Sequence, residues 1–402
     1  MSSLQRPFDP DDLVTAGVVA DPYPAYRALR ERSPVRYLYI PDGALPQCPD
    51  RMQAWAVMTY ADARRVLRDH ESFSSKRPLA GRLMPRLVLL QDDPPRHAWF
   101  RGLVREEFAP DRIARLEAAI GRLADQLLDR VDGEDADFIS SFAAPLPICV
   151  IARLMGLPED EHRTFRRWCD VALSVLSVSS ETKSKEREEI EQFFRCMIAG
   201  KNPAGEPKNI MDILVHGKVN GDSLQEWEVI GFCILLLVAG SETTTNLLGN
   251  MLHLLAHRPD LWNQLRRDRT LVVPFIEETM RYESPLQRLT RVTARDIDLS
   301  GVRIPSGETV VAFIGAANRD PRKFQDPDEF RLNRPRSDTL AFGGGIHYCL
   351  GAALARTEAR IAINAILDRF SRLEPGARRP VRQTSKLLVL GYQSLPLRLE
   401  RR

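Results

Sequence analysis

The chain has 402 residues, 44% of them hydrophobic, with 57 Lys and Arg against 54 Asp and Glu and a net charge of +3. That length and apolar content allow a sizeable core, and a balance so near neutrality excludes the strong basic field of a nucleic-acid or membrane-surface binder. The N-terminus lacks the apolar run of a signal peptide, and the longest apolar stretch, residues 229–240, falls short of the ~20 needed to span a bilayer, so a cytoplasmic protein outside the membrane is expected.

Six cysteines, at 48, 149, 169, 196, 233 and 349, show no pairing pattern, as in a reducing compartment. No Pro/Gly/Ser-rich linker or internal repeat divides the chain. We expect one domain over residues 1–402, with residues 1–20 as an N-terminal extension, present as a monomer.

Asp21-Pro-Tyr-Pro opens a short helix through Arg32, with proline in its first turn. Residues 35–38 and 55–58 read as strands, and 60–69 as a helix. Residues 73–90 contain Ser, Arg, Gly and two prolines and read as irregular. Asp93-Pro94-Pro95 then starts a helix carrying His97 and Arg101, four apart and on one face. Alone, that pair describes an exposed cationic face. Ile113, Leu116, Ile120, Leu123 and Leu127 recur at spacings of three and four, so residues 111–131 are expected to form one amphipathic helix packed on the core. Residues 142–155 form a more fully apolar helix that ends near Gly156 and Pro158. Residues 159–178 and 183–199 read as two helices joined by a serine-rich stretch, a candidate lid. A Pro/Gly loop follows over 200–208.

Residues 224–257 read as one long helix, buried along its middle. At its centre stands Ala239-Gly240-Ser241-Glu242-Thr243-Thr244-Thr245. Hydroxyl side chains compete for backbone carbonyls and bend helices, and an acid in an apolar helix is costly unless hydrated or paired. The plain reading is a polar cluster bonded to its own backbone. A helix that breaks its own pattern at one point is also a functional-site candidate. No Gly-x-Ser-x-Gly is present, so a nucleophilic serine is not expected. Residues 275–281 are helical, and Glu278 and Arg281 share a face. On a surface such a pair is worth only ~0.2–0.5 kcal/mol. Arg291 opens a strand over 290–293, and 317–321 forms a turn after a strand.

Near the end comes Phe342-Gly-Gly-Gly-Ile-His-Tyr-Cys349-Leu-Gly351, followed by a helix-forming run. Successive glycines let a backbone turn tightly and approach something flat. A cysteine ahead of a helix sits where the dipole favours a thiolate. One thiolate suits a heme iron, whose porphyrin supplies the in-plane ligands. It suits zinc poorly, because a structural zinc site takes about four protein ligands and no second cysteine lies nearby. The bland alternative is a small core hydrophobe in a glycine-rich turn.

Phe342-Gly343-x-Gly345-x-His347-x-Cys349-x-Gly351 resembles the heme-ligand signature of the cytochrome P-450 family of heme-thiolate monooxygenases. Asp93-Pro-Pro-x-His97-x-x-x-Arg101, Ala239-Gly-x-Glu242-Thr243, Glu278-x-x-Arg281 and Phe330-Arg-Leu-Asn-Arg334 resemble further segments of that family, in its order, over residues from about 21 to 399. The resemblance implies a mainly α fold with small β-sheets and heme b held between the long central helix and the helix after the cysteine loop. It implies Cys349 as the iron ligand and His97, Arg101, Arg291 and His347 as propionate donors. Phe342, Gly343, Gly351 and Ala239 would lie against the heme. Thr243 would hydrogen-bond the bound dioxygen and Glu242 relay protons. Glu278, Arg281 and Arg334 would brace the cysteine loop.

Family-like pocket positions fall on Leu89, Leu235, Val238, Leu286, Gln287, Leu289, Leu388 and Val389, with Gln287 the one polar handle. So apolar a set implies a lipophilic substrate: a terpenoid, steroid, fatty acid or polyketide. The resemblance further implies hydroxylation or epoxidation with O2, and electrons from NAD(P)H through a ferredoxin and its reductase. Charge alone nominates Arg105, Arg356 and Arg360 as contacts for an acidic ferredoxin. The competing expectations are an H2O2-using peroxygenase and a non-catalytic heme sensor or carrier.

Overall fold

A computed structural model describes residues 13, 16–40, 52–76, 87–131, 135–158, 164–168, 181–201, 205–335, 339–384 and 388–402. Cys48, Cys169, most of the first expected lid helix and most of the N-terminal extension lie outside the described residues. The architecture is mainly helical with small sheets.

After a short helix at Ala16–Ala20, the chain forms helix α1 (Tyr23–Arg32) and the hairpin strands β1 (Val35–Ile40) and β2 (Met52–Val57). Helix α2 (Tyr60–Arg68) follows, capped by the Thr59 hydroxyl, which accepts from the Asp62 N–H at 3.2 Å. Strand β3 (Phe73–Ser74) and helix α3 (Arg96–Val104) come next. The apolar repeat expected to be one helix is two: Pro110–Ala114, then α4 (Glu117–Asp129). The break is a tight turn in which Leu116 N–H reaches Ile113 O at 2.9 Å. Ile113, Ile120 and Leu127 are still buried together, so the period located the side chains although the hydrogen-bond ladder is interrupted.

Helix α5 (Pro145–Met155) is preceded by one wide turn, Ile139–Ala143, so the helical region starts earlier than expected. Pro145 and Pro147 lack N–H groups and fit only in a first turn. Gly156 ends α5 at φ 73°, the left-handed conformation that favours glycine at this position. Helix α6 (Glu181–Ala199) belongs to the expected lid region.

Helix α7 (Glu226–His257) runs through the centre. It is long and apolar enough to cross a bilayer, contrary to the shorter apolar run counted in the sequence, and 72% of its most apolar window is buried inside the protein. It packs against α5 and α9 (Ala352–Arg369). At the α5 crossing, a Cβ on Gly240 would stand 3.2 Å from Ile151. Helix α8 (Val272–Tyr282), strands β4 (Arg288–Thr293) and β5 (Thr309–Phe313), and finally α9 complete the frame. The main sheet has the order β1-β2-β5-β4-β3, with β2 and β5 parallel and the other pairs antiparallel. It puts Arg291 opposite Val310 and Leu289 opposite Ala312.

The structure brings Glu278, Arg281 and Arg334 into one buried cluster. The Glu278 carboxylate accepts from Arg281 Nε (2.9 Å), Arg281 Nη2 (2.8 Å), Arg334 Nε (3.2 Å) and the Arg331 N–H (3.0 Å). Arg281 also donates to the carbonyls of Asn318, Pro327 and Glu329. Asn318, in the segment expected to have a fold role, accepts from the Leu340 N–H at 2.8 Å. The next hydrogen bonds, Gly343 N–H to Leu340 O and Cys349 N–H to Phe342 O, close the cysteine loop.

Removing one partner from a buried, multiply bonded ion pair costs roughly 3–5 kcal/mol. Arg281→Ala, which strips Glu278 of two donors, is expected to lose about that much in urea unfolding. Arg334→Ala, which strips one, should lose less. Losses from Arg281→Ala in the range of a surface pair, under about 1 kcal/mol, would contradict the bracing role.

Candidate active site

The cysteine loop is shaped by its glycines. Gly345 has φ 65°, and a Cβ on it would stand 2.7 Å from Leu67 O and 2.8 Å from Arg68 Cα in α2. Only glycine allows that approach. The loop then presents Cys349 just ahead of α9. Cys349 is exposed, but to an internal cavity that it lines. Protein encloses it on the other sides. That burial pushes its thiol up, while the Gly351 N–H and the charges of Arg101 and Arg356 pull it down.

The cavity has a volume of about 390 Å³ and a mostly apolar wall. One end is cationic. His97 and Arg101 enter from α3, Arg291 from β4 and His347 from the cysteine loop. The two imidazoles meet edge-on, with ring centroids 4.3 Å apart. Burial first, then neighbouring positive charges, lowers His97 to about 4 and His347 to about 3. Burial also lowers Arg291 to about 10, opposed by Asp93. The Nε2 of His97 is buried with no hydrogen-bond partner. Arg101 donates to Tyr348 O at 2.9 Å, tying α3 to the residue before Cys349. Ser75, which the motifs did not single out, meets His347 Nε2 at 2.9 Å. Its own N–H donates to Asp93.

Helix α7 forms the facing wall with Leu235, Val238, Ala239, Glu242 and Thr243. Thr243 Oγ1 donates to Ala239 O at 3.0 Å, and Ser241 Oγ donates to Leu237 O at 2.6 Å. The helix absorbs its hydroxyls by back-bonding and stays continuous. Phe342, Gly343 and Gly351 line the cysteine side. A Cβ on Gly351 would meet nothing within 4 Å, so protein packing does not fill the space beside it. Leu89, Leu286, Leu289, Leu388 and Val389 close the cavity, and Leu286 and Val389 pair as an isolated bridge.

Gln287 is not in this wall. It is buried on the opposite side of its strand start, where Nε2 donates to Ser284 O at 2.7 Å and faces the Tyr23 hydroxyl at 3.5 Å. The expected polar handle is therefore a packing residue. Gln287 lies just ahead of β4, and its amide is turned to Ser284 and Tyr23. The expected docking cations are also not free. Arg105 pairs with Glu106, Arg360 with Glu117, and Arg356 with Glu277 while lying 4.4 Å over the Phe342 ring. Each brings a negative neighbour, so these three do not form an unbalanced basic patch.

The sequence reading also missed Glu358, which lies on the cavity wall from α9. It is 1% exposed, its Oε2 has no partner, and burial raises it to about 8. Its only sequence signal was an acid inside the apolar face of α9.

Fold and cavity together place one cysteine, two arginines and two imidazoles on a single, mostly apolar cavity. The Cytochrome P450 family profile matches residues 140–400. Cytochrome P450 109 of Bacillus spizizenii is 36% identical, covering 94% of this chain and 92% of that protein. Cytochrome P450 monooxygenase PikC of Streptomyces venezuelae is 36% identical, over 95% of this chain and 92% of its own. Among solved structures, CYP109E1 from Bacillus megaterium in complex with testosterone superposes with a TM-score of 0.85 at 33% identity, covering 96% and 99% of the two chains. The chain belongs to the cytochrome P450 family. It is an oxidoreductase of the monooxygenase class, and the family implies heme with cysteine-thiolate ligation. The residues present fit that group: a soft ligand below, an orphaned His97 Nε2 and two arginines for its carboxylates, and open space beside Gly351.

Glu358 makes stability pH-dependent. Its folded value lies above the ordinary 4.5, so folding keeps it protonated where the unfolded chain ionises it. Stability is therefore lost as pH rises from about 4.5 to about 8 and then levels. The slope is at most about 1.4 kcal/mol per pH unit. Glu358→Gln should gain stability on the wild type across that window, measured as urea midpoints at a series of pH values. A difference independent of pH would contradict the buried neutral acid.

Proposed function

We propose that this protein hydroxylates or epoxidises a lipophilic small molecule of the terpenoid, steroid, fatty acid or polyketide type, with O2 and electrons from NAD(P)H delivered by a ferredoxin system. The carrying observation is the cavity wall: Leu and Val side chains around one acid–hydroxyl pair, Glu242 and Thr243. Such a wall binds by apolar area and rejects little on polar chemistry. Relatives solved with testosterone and with erythromycin B support the steroid and polyketide classes. A cytoplasmic location accompanies this reading.

When bound, the heme supplies oxygen activation, which a thiolate ligand assists. Cys349 Sγ is assigned as that ligand. His97, Arg101, Arg291 and His347 hold the two carboxylates with charge-assisted hydrogen bonds, and that neutralises the cationic end. The Thr243 hydroxyl, now bonded to Ala239 O, turns its proton toward the cavity. The Glu242 carboxyl resupplies that proton from solvent. The apolar wall keeps other water away. A hydroxyl and an acid side by side favour O2 with a reductant over H2O2, because a peroxide already carries the protons.

Thr243→Ala should retain heme and substrate binding but divert reducing equivalents. Product per NADPH is expected to fall at least about tenfold, since a positioned proton-transfer group contributes typically about 10²–10⁴-fold, with peroxide rising to match. Unchanged coupling would show that the proton path avoids Thr243.

A further inference from the structure

A chain of charges that oxygen chemistry does not use ties down the roof of the cavity. Residues 87–92 form that roof, with Leu87, Leu89 and Leu90 facing inward. Leu89 has φ 74°, a conformation that costs an L residue roughly 1–2 kcal/mol. Side chains hold it there. The Leu89 N–H donates to Asp92 Oδ2 at 2.8 Å. Gln91 closes the same turn, its N–H on Leu87 O and its Oε1 accepting from the Leu87 N–H, each at 3.1 Å.

Asp92 is fully buried, and its Oδ1 accepts from Arg96 Nε at 3.0 Å. Arg96 then reaches a different element: its Nη2 donates to Glu228 Oε1. Glu228, in the first turn of α7, completes a capping box with the N-cap Gln225, its Oε2 accepting from the Gln225 N–H at 2.8 Å. The guanidinium lies 4.7 Å over the Phe100 ring and 5.7 Å over Trp227. One planar fork thus serves two carboxylates from two elements, a geometry that lysine does not reproduce. The next residue, Asp93, anchors Ser74 and Ser75. The roof is therefore fixed to α7 at one side and to the cationic end at the other.

We infer that Arg96 is a positioning residue that clasps the Leu87–Leu90 roof to the start of α7 and so sets which molecules reach the cavity and how fast. The reason lies in the strain at Leu89. A turn held in an unfavourable conformation reverts when its anchor is cut. Asp92 without Arg96 is a buried carboxylate short of a donor, which solvates by opening. This rests on the reading of the cavity as a heme and substrate site.

The test uses the heme-loaded protein, with imidazole as the probe of access to the ferric iron. Two readouts are taken: amide hydrogen exchange over residues 87–92 and the imidazole association rate by stopped flow. Arg96→Leu should raise both about tenfold with the CO-difference spectrum of a thiolate heme intact. Arg96→Lys should fall between Arg96→Leu and the wild type. Glu228→Gln should shift both in the same direction by less, and it decides the matter if Arg96→Leu fails to take up heme. The double variant should add little to Arg96→Leu, because the two side chains act through one contact. Unchanged exchange and association rates with an intact thiolate spectrum would overturn the clasp alone. An absent thiolate spectrum in the wild type would overturn the functional reading, while exchange over 87–92 would still report on the clasp.

Discussion

One buried carboxylate organises the cysteine side of this molecule. Glu278 gathers four N–H donors from Arg281, Arg334 and the Arg331 backbone. Two charges taken out of water are repaid only when every lone pair finds a partner, and here the partners come from two separate stretches of chain, α8 and residues 331–334. Arg281 spends its remaining donors on carbonyls of the segment leading to the cysteine loop. Its neighbour Glu277 holds Arg356, which lies on Phe342 and faces the Tyr348 hydroxyl at 3.4 Å. Two adjacent acids on α8 therefore fix the loop from beneath, and Arg101 fixes it from α3. The position of Cys349 follows from these contacts, because a loop with three glycines has little stiffness of its own.

The cavity carries two opposed electrostatic problems. At one end, two arginines and two imidazoles crowd together, and the imidazoles are held neutral by burial and by their cationic neighbours. A bound dianion relieves that end, so binding energy is stored there as unmet hydrogen bonding. Behind the cysteine, Glu358 is an acid kept neutral by burial alone. Both are departures from consistency of the kind expected at functional sites. They line the same cavity as Cys349, and the carboxylates of the heme that the family implies would answer the first.

The helices were legible wherever the apolar period was long. α1, α2, α3 and α7 fall within a few residues of their expected limits because caps and prolines mark their ends. The α4 region shows the limit of that reasoning: periodicity reports which side chains share a face, and a tight turn at Leu116 leaves the face intact while breaking the helix. The site residues brought to one cavity were legible because each sat in a motif with a fixed offset. Gln287 was misplaced because, just ahead of β4, its amide is turned to Ser284 O and the Tyr23 hydroxyl and not to the cavity. Arg105, Arg356 and Arg360 were misread because formal charge in a sequence does not show which acid lies opposite.

Arg96 was silent for a different reason. It stands beside two residues that carry a motif, and its partners are Asp92, four before it, and Glu228, 132 positions away. No local pattern encodes a pair of that separation. The strain at Leu89 is equally invisible, since leucine is an ordinary residue and only its φ of 74° marks the turn. The motif residues Cys349, Thr243, His97 and Arg101 each lie at short offsets from their motif neighbours. The roof residues that line the cavity are tied to α7 through a long-range pair, Arg96 with Glu228. The motif residues are therefore readable in sequence, and a contact such as Arg96 to Glu228 becomes visible only when distant segments are brought together.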